Sequence, residues 1–185
     1  MSDSEPSDTD DALDASTQRR TVRERYAGLA TETEQAQSDC CSSSDCCGDG
    51  TAGTDGAVET AAKLGYSRDD LESVDGEANL GLGCGNPQAL ASISEGETVV
   101  DLGSGAGFDC FLAAQEVGEA GQVIGVDMTP EMVEKARENA RENESEHVEF
   151  RLGEIEHLPV ADERADVVIS NCVVNLSPNK PQVFS

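Results

Sequence analysis

Thr98-Val-Val-Asp101-Leu-Gly103-Ser104-Gly105-Ala-Gly107-Phe108 decides the fold of this chain. Val99 and Val100 are β-branched and run straight into an acid, which predicts a strand over 98–102. Glycines then fall at every second position. Phe108 to Val117 reads as a helix, with Phe108, Phe111, Leu112 and Val117 near one face. Strand, glycine turn and helix in that order let backbone approach a ligand closely, and the helix start offers N–H groups to it. This is half of a nucleotide site.

Working outward, strand and helix alternate. A second strand is expected over 122–126, ending at Asp127. Thr129-Pro130-Glu131 reads as a cap, a first-turn proline and an early acid, opening a helix to about residue 143. A third strand follows over 148–152. A fourth, over 165–170, is apolar enough for burial on both faces. Alternating β and α units predict a parallel sheet with right-handed crossovers. Upstream, helices are expected over 17–30, 57–64 (closed by Gly65), 68–74 (capped by Ser67) and 87–93 (capped by Asn86). Residues 1–15 read as disordered and 31–56 as a flexible loop. The expected organisation is an acidic segment with a cysteine cluster over 1–56, a helical cap with the Cys84 loop over 57–95, and a ligand-binding domain over 96–185.

Charge narrows the function. The 185 residues carry 38 Asp+Glu against 12 Lys+Arg, a formal charge of −26. Such a chain repels nucleic acid and anionic membranes. The acids are spread along the whole length and read as a solvated surface, resembling cytoplasmic proteins of salt-loving archaea, whose internal salt screens self-repulsion. An ordinary acidic protein is the plainer alternative. Without a spanning segment or a signal peptide, the expected location is the cytoplasm. Seven cysteines there argue for reduced thiols that serve chemistry or metal binding.

The spacing names the ligand. A dinucleotide site needs G-x-G-x-x-G, and Phe108 occupies the sixth position, so that pattern fails. Asp-x-Gly-x-Gly-x-Gly instead resembles the first motif of class I S-adenosylmethionine-dependent methyltransferases. The resemblance implies a Rossmann-like α/β fold in which Gly103, Ser104, Gly105 and Gly107 face the cofactor. Asp101 would hold the methionine amine, directly or through water. Asp127 at the end of strand two can accept both ribose hydroxyls, and Met128 can pack on adenine. Glu154 resembles the acid near the adenine amine, and Asn171 falls beside the reacting end. Asp101, Asp127 and Glu154 all follow carboxyl ends of adjacent strands, where open α/β sheets bind ligands. A complete member has seven strands, so the resemblance also implies truncation after strand four, with an exposed sheet edge.

The thiols suggest a substrate. Asn171-Cys172-Val-Val-Asn175 follows strand four, Asn79-Leu-Gly-Leu-Gly-Cys84-Gly-Asn-Pro87 precedes the first strand, and Cys40, Cys41, Cys46 and Cys47 cluster near the start. Together with Asp101–Phe111, these motifs resemble the arsenite methyltransferases over about residues 22–184. Trivalent arsenic is soft and prefers thiolate. Three sulfurs leave its lone pair free, so methyl transfer needs no general base, and the protein's main task is positioning. The resemblance implies Cys84 and Cys172 as arsenic ligands and catalytic thiols, with Cys46 or Cys47 supplying an N-terminal ligand. It also implies a thiol reductant (thioredoxin or a small thiol) and, for a complete protein, a monomer. The early cluster lacks the C-x₂-C spacing of a zinc site. Cys110 reads as a small buried residue, and His147 and His157 as surface. Two rivals stay open: a methyltransferase for a small organic or quinone substrate, and an inactive fragment that at most binds As(III) or cofactor.

Overall fold

The computed structural model describes residues 14–36, 54–74 and 77–185. Its centre is a four-stranded, wholly parallel sheet in the order β3-β2-β1-β4. β1 is Thr98–Leu102, β2 Gln122–Asp127, β3 Val148–Leu152 and β4 Val167–Ser170. In register, Val99 sits between Val123 and Val167, and Leu102 between Val126 and Ser170. β1 is buried throughout, as a central parallel strand must be.

Alternation along the strands sorts the core into two layers. Val99, Val123, Val148, Phe150 and Ile169 form one, packed under the helices α4 (Phe108–Val117) and α5 (Pro130–Glu142). Phe111 meets Phe150 edge-on, with centroids 5.7 Å apart, a geometry favoured by the ring quadrupoles. Val100, Leu102, Ile124 and Val126 point the other way, against Ile155 and the partly buried Leu158, Val160, Val173 and Val183. α4 is buried nearly all round, including Asp109 and Cys110. The sheet covers one side of it; Ala61, Leu64, Tyr66 and Leu71 cover another. Truncating a filled position such as Ile124 to alanine costs about 2–5 kcal/mol.

The N-terminal elements pack over the carboxyl edge of the sheet. α1 (Ala15–Ala36) lies beside α5. Its Gln18 side chain donates to the Leu176 carbonyl at 2.9 Å, and Arg19 pairs with Glu154 and Glu156 at 3.3 and 3.4 Å. α2 (Thr54–Lys63) and α3 (Arg68–Glu72) follow, the latter opened by a reciprocal Ser67–Asp70 capping box. A short helix α6, Lys180–Val183, lies near the C-terminus. No helix among the described residues is long and apolar enough to cross a membrane.

Four expectations are corrected. Residues 87–93 form only a 3₁₀ turn, Pro87–Ala89. Asn86 caps it through the N–H groups of Gln88 and Ala89, but Leu90 is 91% exposed, so no apolar face anchors a longer helix. β4 is not buried on both faces: Val168 is 56% exposed, because β4 is an outer strand of the described sheet and no described residue buries that position. Thr129 occupies the N-cap of α5 but makes no side-chain cap; its own N–H is instead held by Asp127 at 2.8 Å. Of the stretch expected as a loop over 31–56, residues 31–36 belong to α1 and 54–56 to α2, and the remainder lies outside the described residues. Cys40, Cys41, Cys46 and Cys47 lie outside the described residues.

Candidate active site

Backbone hydrogen bonds fold the glycine turn across the end of β2. The N–H groups of Gly103 and Ser104 both donate to the Val126 carbonyl, at 2.7 and 3.1 Å. Gly103 has φ +73°, and a Cβ there would stand 2.5 Å from Val173. Only glycine lets the turn and the segment after β4 approach so closely. Gly105 is also left-handed, at φ +53°, with open space where its Cβ would be. Gly107 serves as the N-cap of α4. The side chains missing from this turn leave room for a ligand.

Asp127 closes the turn from below. One carboxylate oxygen accepts from Gly105 N at 3.1 Å, the other from Thr129 N at 2.8 Å. Burial raises its pKa, and these backbone donors pull it partly back. Each oxygen keeps lone pairs for a further donor. Met128 is partly buried beside it and lines the same cavity. Asp101 lies deeper. It faces α4, where the Cys110 thiol donates to it at 3.3 Å, and its other oxygen has no partner among the described residues. Burial, then the neighbouring Asp109 carboxylate, push Asp101 up to about 8. Burial and the same two acids raise the Cys110 thiol as well.

Glu154 sits at the far end of this arc and is engaged by α1: Arg19 reaches it at 3.3 Å and Arg23 at 3.9 Å. Its neighbours Ile155 and Glu156 line the cavity. Burial pushes Glu156 up, but the Ser177 hydroxyl at 2.7 Å, backbone N–H and Arg19 outweigh it and hold the carboxyl below its usual range.

Two thiols come together beside the turn, Cys172 lining the cavity and Cys84 behind it. Cys84 and Cys172, 88 residues apart in sequence, are joined as a disulfide with Cα atoms 6.0 Å apart. Cys172 has φ +59°, a left-handed conformation that a non-glycine residue adopts at a cost of about 1–3 kcal/mol. Asn171 beside it accepts from the Cys84 N–H at 3.1 Å and donates to the Gly85 carbonyl at 2.9 Å. Two residues that sequence reasoning did not single out complete the arrangement. Tyr66 donates to Asp109 at 2.6 Å, and Asp109 accepts from Asn171 at 3.1 Å. Burial raises the Tyr66 phenol and the Asp109 carboxyl alike.

One cavity is bounded by Gly103, Ser104, Gly105, Asp127 and Met128 on one side, and by Gly83, Asn171 and Cys172 on the other. Asp101, Gly107, Glu154 and Cys84 stand next to lining residues but do not themselves line it. The Ser104 hydroxyl and the Asn79 amide line it too, and each has a buried polar atom without a partner among the described residues. Buried polar atoms need partners. Orphaned donors, a paired-acceptor carboxylate and a glycine cradle suit a nucleoside cofactor bearing ribose hydroxyls and an amino-acid tail.

A parallel sheet whose first turn reads Asp-x-Gly-x-Gly-x-Gly, in place of the dinucleotide G-x-G-x-x-G, and whose second strand ends in an acid is the arrangement of the class I methyltransferases. A model of the family described as "Methyltransferase domain" matches residues 93–185, and the chain belongs to that family. Among its relatives, the chain is 60% identical over 169 residues to an arsenite methyltransferase of Halobacterium salinarum, covering 90% of this chain and 42% of that protein. It is 39% identical over 142 residues to the arsenite methyltransferase of Homo sapiens, covering 71% and 37% respectively. Among solved structures it resembles CrArsM, an arsenic(III) S-adenosylmethionine methyltransferase from Chlamydomonas reinhardtii, with 40% identity, a TM-score of 0.51, and coverage of 69% of this chain and 42% of that one. The chain thus spans about two fifths of the length of these relatives.

Proposed function

We propose that this chain carries the cofactor site and two of the arsenic-binding thiols of an arsenite methyltransferase. The observation that carries this reading is the pairing of Cys84 with Cys172, which itself lines the glycine-turn cavity together with Gly83. A generic methyltransferase needs no thiol pair there.

When bound, S-adenosylmethionine supplies an electrophilic methyl group on its sulfonium. Asp127 would take the ribose hydroxyls, the turn at Gly103, Ser104, Gly105 and Gly107 the cofactor backbone, and Met128 the adenine. Asp101 would meet the amino group and Glu154 the adenine edge. Cys84 and Cys172, once reduced, would hold As(III) as thiolates. A free thiol has a pKa of about 8.5, so uptake releases protons. The arsenic keeps its lone pair for the methyl, and the protein contributes orientation. The joined pair must be opened before it can bind, which supports a thiol reductant as partner. Cys46 or Cys47 is proposed as a further ligand. Residues 57–95 act in this reading as a cap that brings Cys84 to the domain formed by residues 96–185. The formal charge of −26 and the likeness to a Halobacterium protein support a salt-rich cytoplasm as its setting.

Arsenite protection tests the reading. Reduced protein is alkylated with and without arsenite, and each cysteine is read by peptide mass. Protection of Cys84 and Cys172 together is expected. Equal alkylation of both with arsenite present would remove the arsenic assignment.

A further inference from the structure

We propose that Tyr66, Asp109 and Asn171 form a positioning device that fixes the Cys84 loop opposite Cys172. This rests on the reading of Cys84 and Cys172 as the substrate thiols. Cys84 lies on an irregular loop, with no helix or strand of its own to aim it. A pair of sulfurs grips one arsenic only if their separation is set before binding, and a loose loop would have to be ordered at each encounter.

The hydrogen bonds supply that order. Asn171 reads both sides of the Cys84–Gly85 peptide region: its carbonyl oxygen takes the Cys84 N–H at 3.1 Å, and its amide gives a hydrogen to the Gly85 carbonyl at 2.9 Å. The amide's second hydrogen goes to Asp109 at 3.1 Å. Asn171 therefore cannot flip without reversing three bonds. Asp109 is in turn fixed by the Tyr66 hydroxyl at 2.6 Å and stands on the first turn of α4, a helix buried over most of its length. Tyr66 is itself buried, edge-on to Phe108 with centroids 5.2 Å apart. The chain of contacts thus runs from the packed core, through Asp109, to the residue next to Cys172 and on to Cys84. Gly83 permits it: a Cβ at that position would stand 2.7 Å from the Asn171 amide nitrogen.

The prediction concerns the thiols alone, so it can be read without arsenic. In a glutathione redox buffer, the two Cys–SH groups and one glutathione disulfide exchange to one protein disulfide and two glutathione thiols. The equilibrium constant reports how well the fold holds the sulfurs together. It is measured for Cys84–Cys172 by differential alkylation and peptide mass, on the full chain. Asn171→Asp keeps the acceptor for Cys84 N–H but sets a second carboxylate against Asp109; the constant is expected to fall at least about tenfold, the loss of roughly one charge-assisted hydrogen bond. Adding Asp109→Asn restores a donor to that carboxylate and should recover most of the loss, coupling that a general loss of stability would not produce. Should Asn171→Asp fail to melt cooperatively, Gly83→Ala pushes the amide away without a change of charge and should give a similar fall. A folded Asn171→Asp or Gly83→Ala protein with the wild-type constant overturns the proposal, as does a double variant no better than Asn171→Asp. Arsenite protection of Cys84 and Cys172 in the wild type separates the two ideas. If protection is absent but the constants fall, the positioning device stands and the arsenic reading fails. If protection is present and the constants do not move, the reverse holds.

Discussion

The two walls of the cavity are built in different ways. The wall proposed for the cofactor is made of backbone: one strand, one turn and one acid at the end of the next strand, with Gly103 and Ser104 bonded to Val126 and Gly105 to Asp127. Its parts are close in sequence, and its requirements are steric. The thiol wall is made of side chains from distant segments. Tyr66 and Asn171 are 105 residues apart, and the two cysteines 88. A local, backbone-built wall suits a ligand that a whole family shares. An assembled one can be changed by single substitutions, which suits the part that sets the substrate.

That contrast can be broken from either side. The largest effect belongs to the thiol wall. Cys172→Ser should abolish arsenite protection of Cys84 while leaving binding of S-adenosylhomocysteine within about twofold, since one oxygen-for-sulfur change removes a soft ligand and no backbone. Persistent protection would show that Cys84 finds its arsenic partner elsewhere. Next comes Gly103→Ala, which combines left-handed strain with a 2.5 Å clash against Val173. It should destabilise the fold by about 2–4 kcal/mol in urea unfolding. A loss confined to the thiol wall would mean that the turn is less essential than its geometry says. Asp127→Ala should weaken S-adenosylhomocysteine binding by roughly 1–3 kcal/mol in calorimetry through lost ribose hydrogen bonds, and leave arsenite protection intact.

The change spread over the widest range of conditions is a pH dependence. Asp101 is raised from 3.8 to about 8 by burial and its acidic neighbour. Between those values the native state keeps a proton that the unfolded chain has released. Stability from this group therefore falls as pH rises from about 4 through about 8. Asp101→Asn should flatten the slope of the urea midpoint across that window. An unchanged slope would assign the pH dependence to other groups.

The same contrast explains how much of the molecule was legible in its sequence. β1, β3 and α4 match their expected bounds, because β-branched runs, glycine spacing and helical periodicity are local signals. β4 starts two residues later than the expected 165–170 and differs in burial: an apolar run says what a strand can tolerate, while its neighbours decide what it gets, and Val168 stays 56% exposed among the described residues. The helix expected after Pro87 stopped at a single turn because a good cap and a first-turn proline can start a helix but cannot bury Leu90. Cys84 and Cys172 were legible through resemblance. Tyr66 and Asp109 were not: an isolated tyrosine after a helix and an acid in a first turn look ordinary. Only the fold brings Tyr66 to Asp109 across 43 residues of chain.

The central claim is that one cavity joins a cofactor wall to a thiol wall. The most direct test is calorimetric titration of the reduced chain in high salt, first with S-adenosylhomocysteine and then with arsenite, followed by alkylation mapping. The account predicts that both bind, and that arsenite shields Cys84 and Cys172 together. Failure of S-adenosylhomocysteine to bind, or arsenite uptake that leaves both cysteines fully reactive, would contradict it.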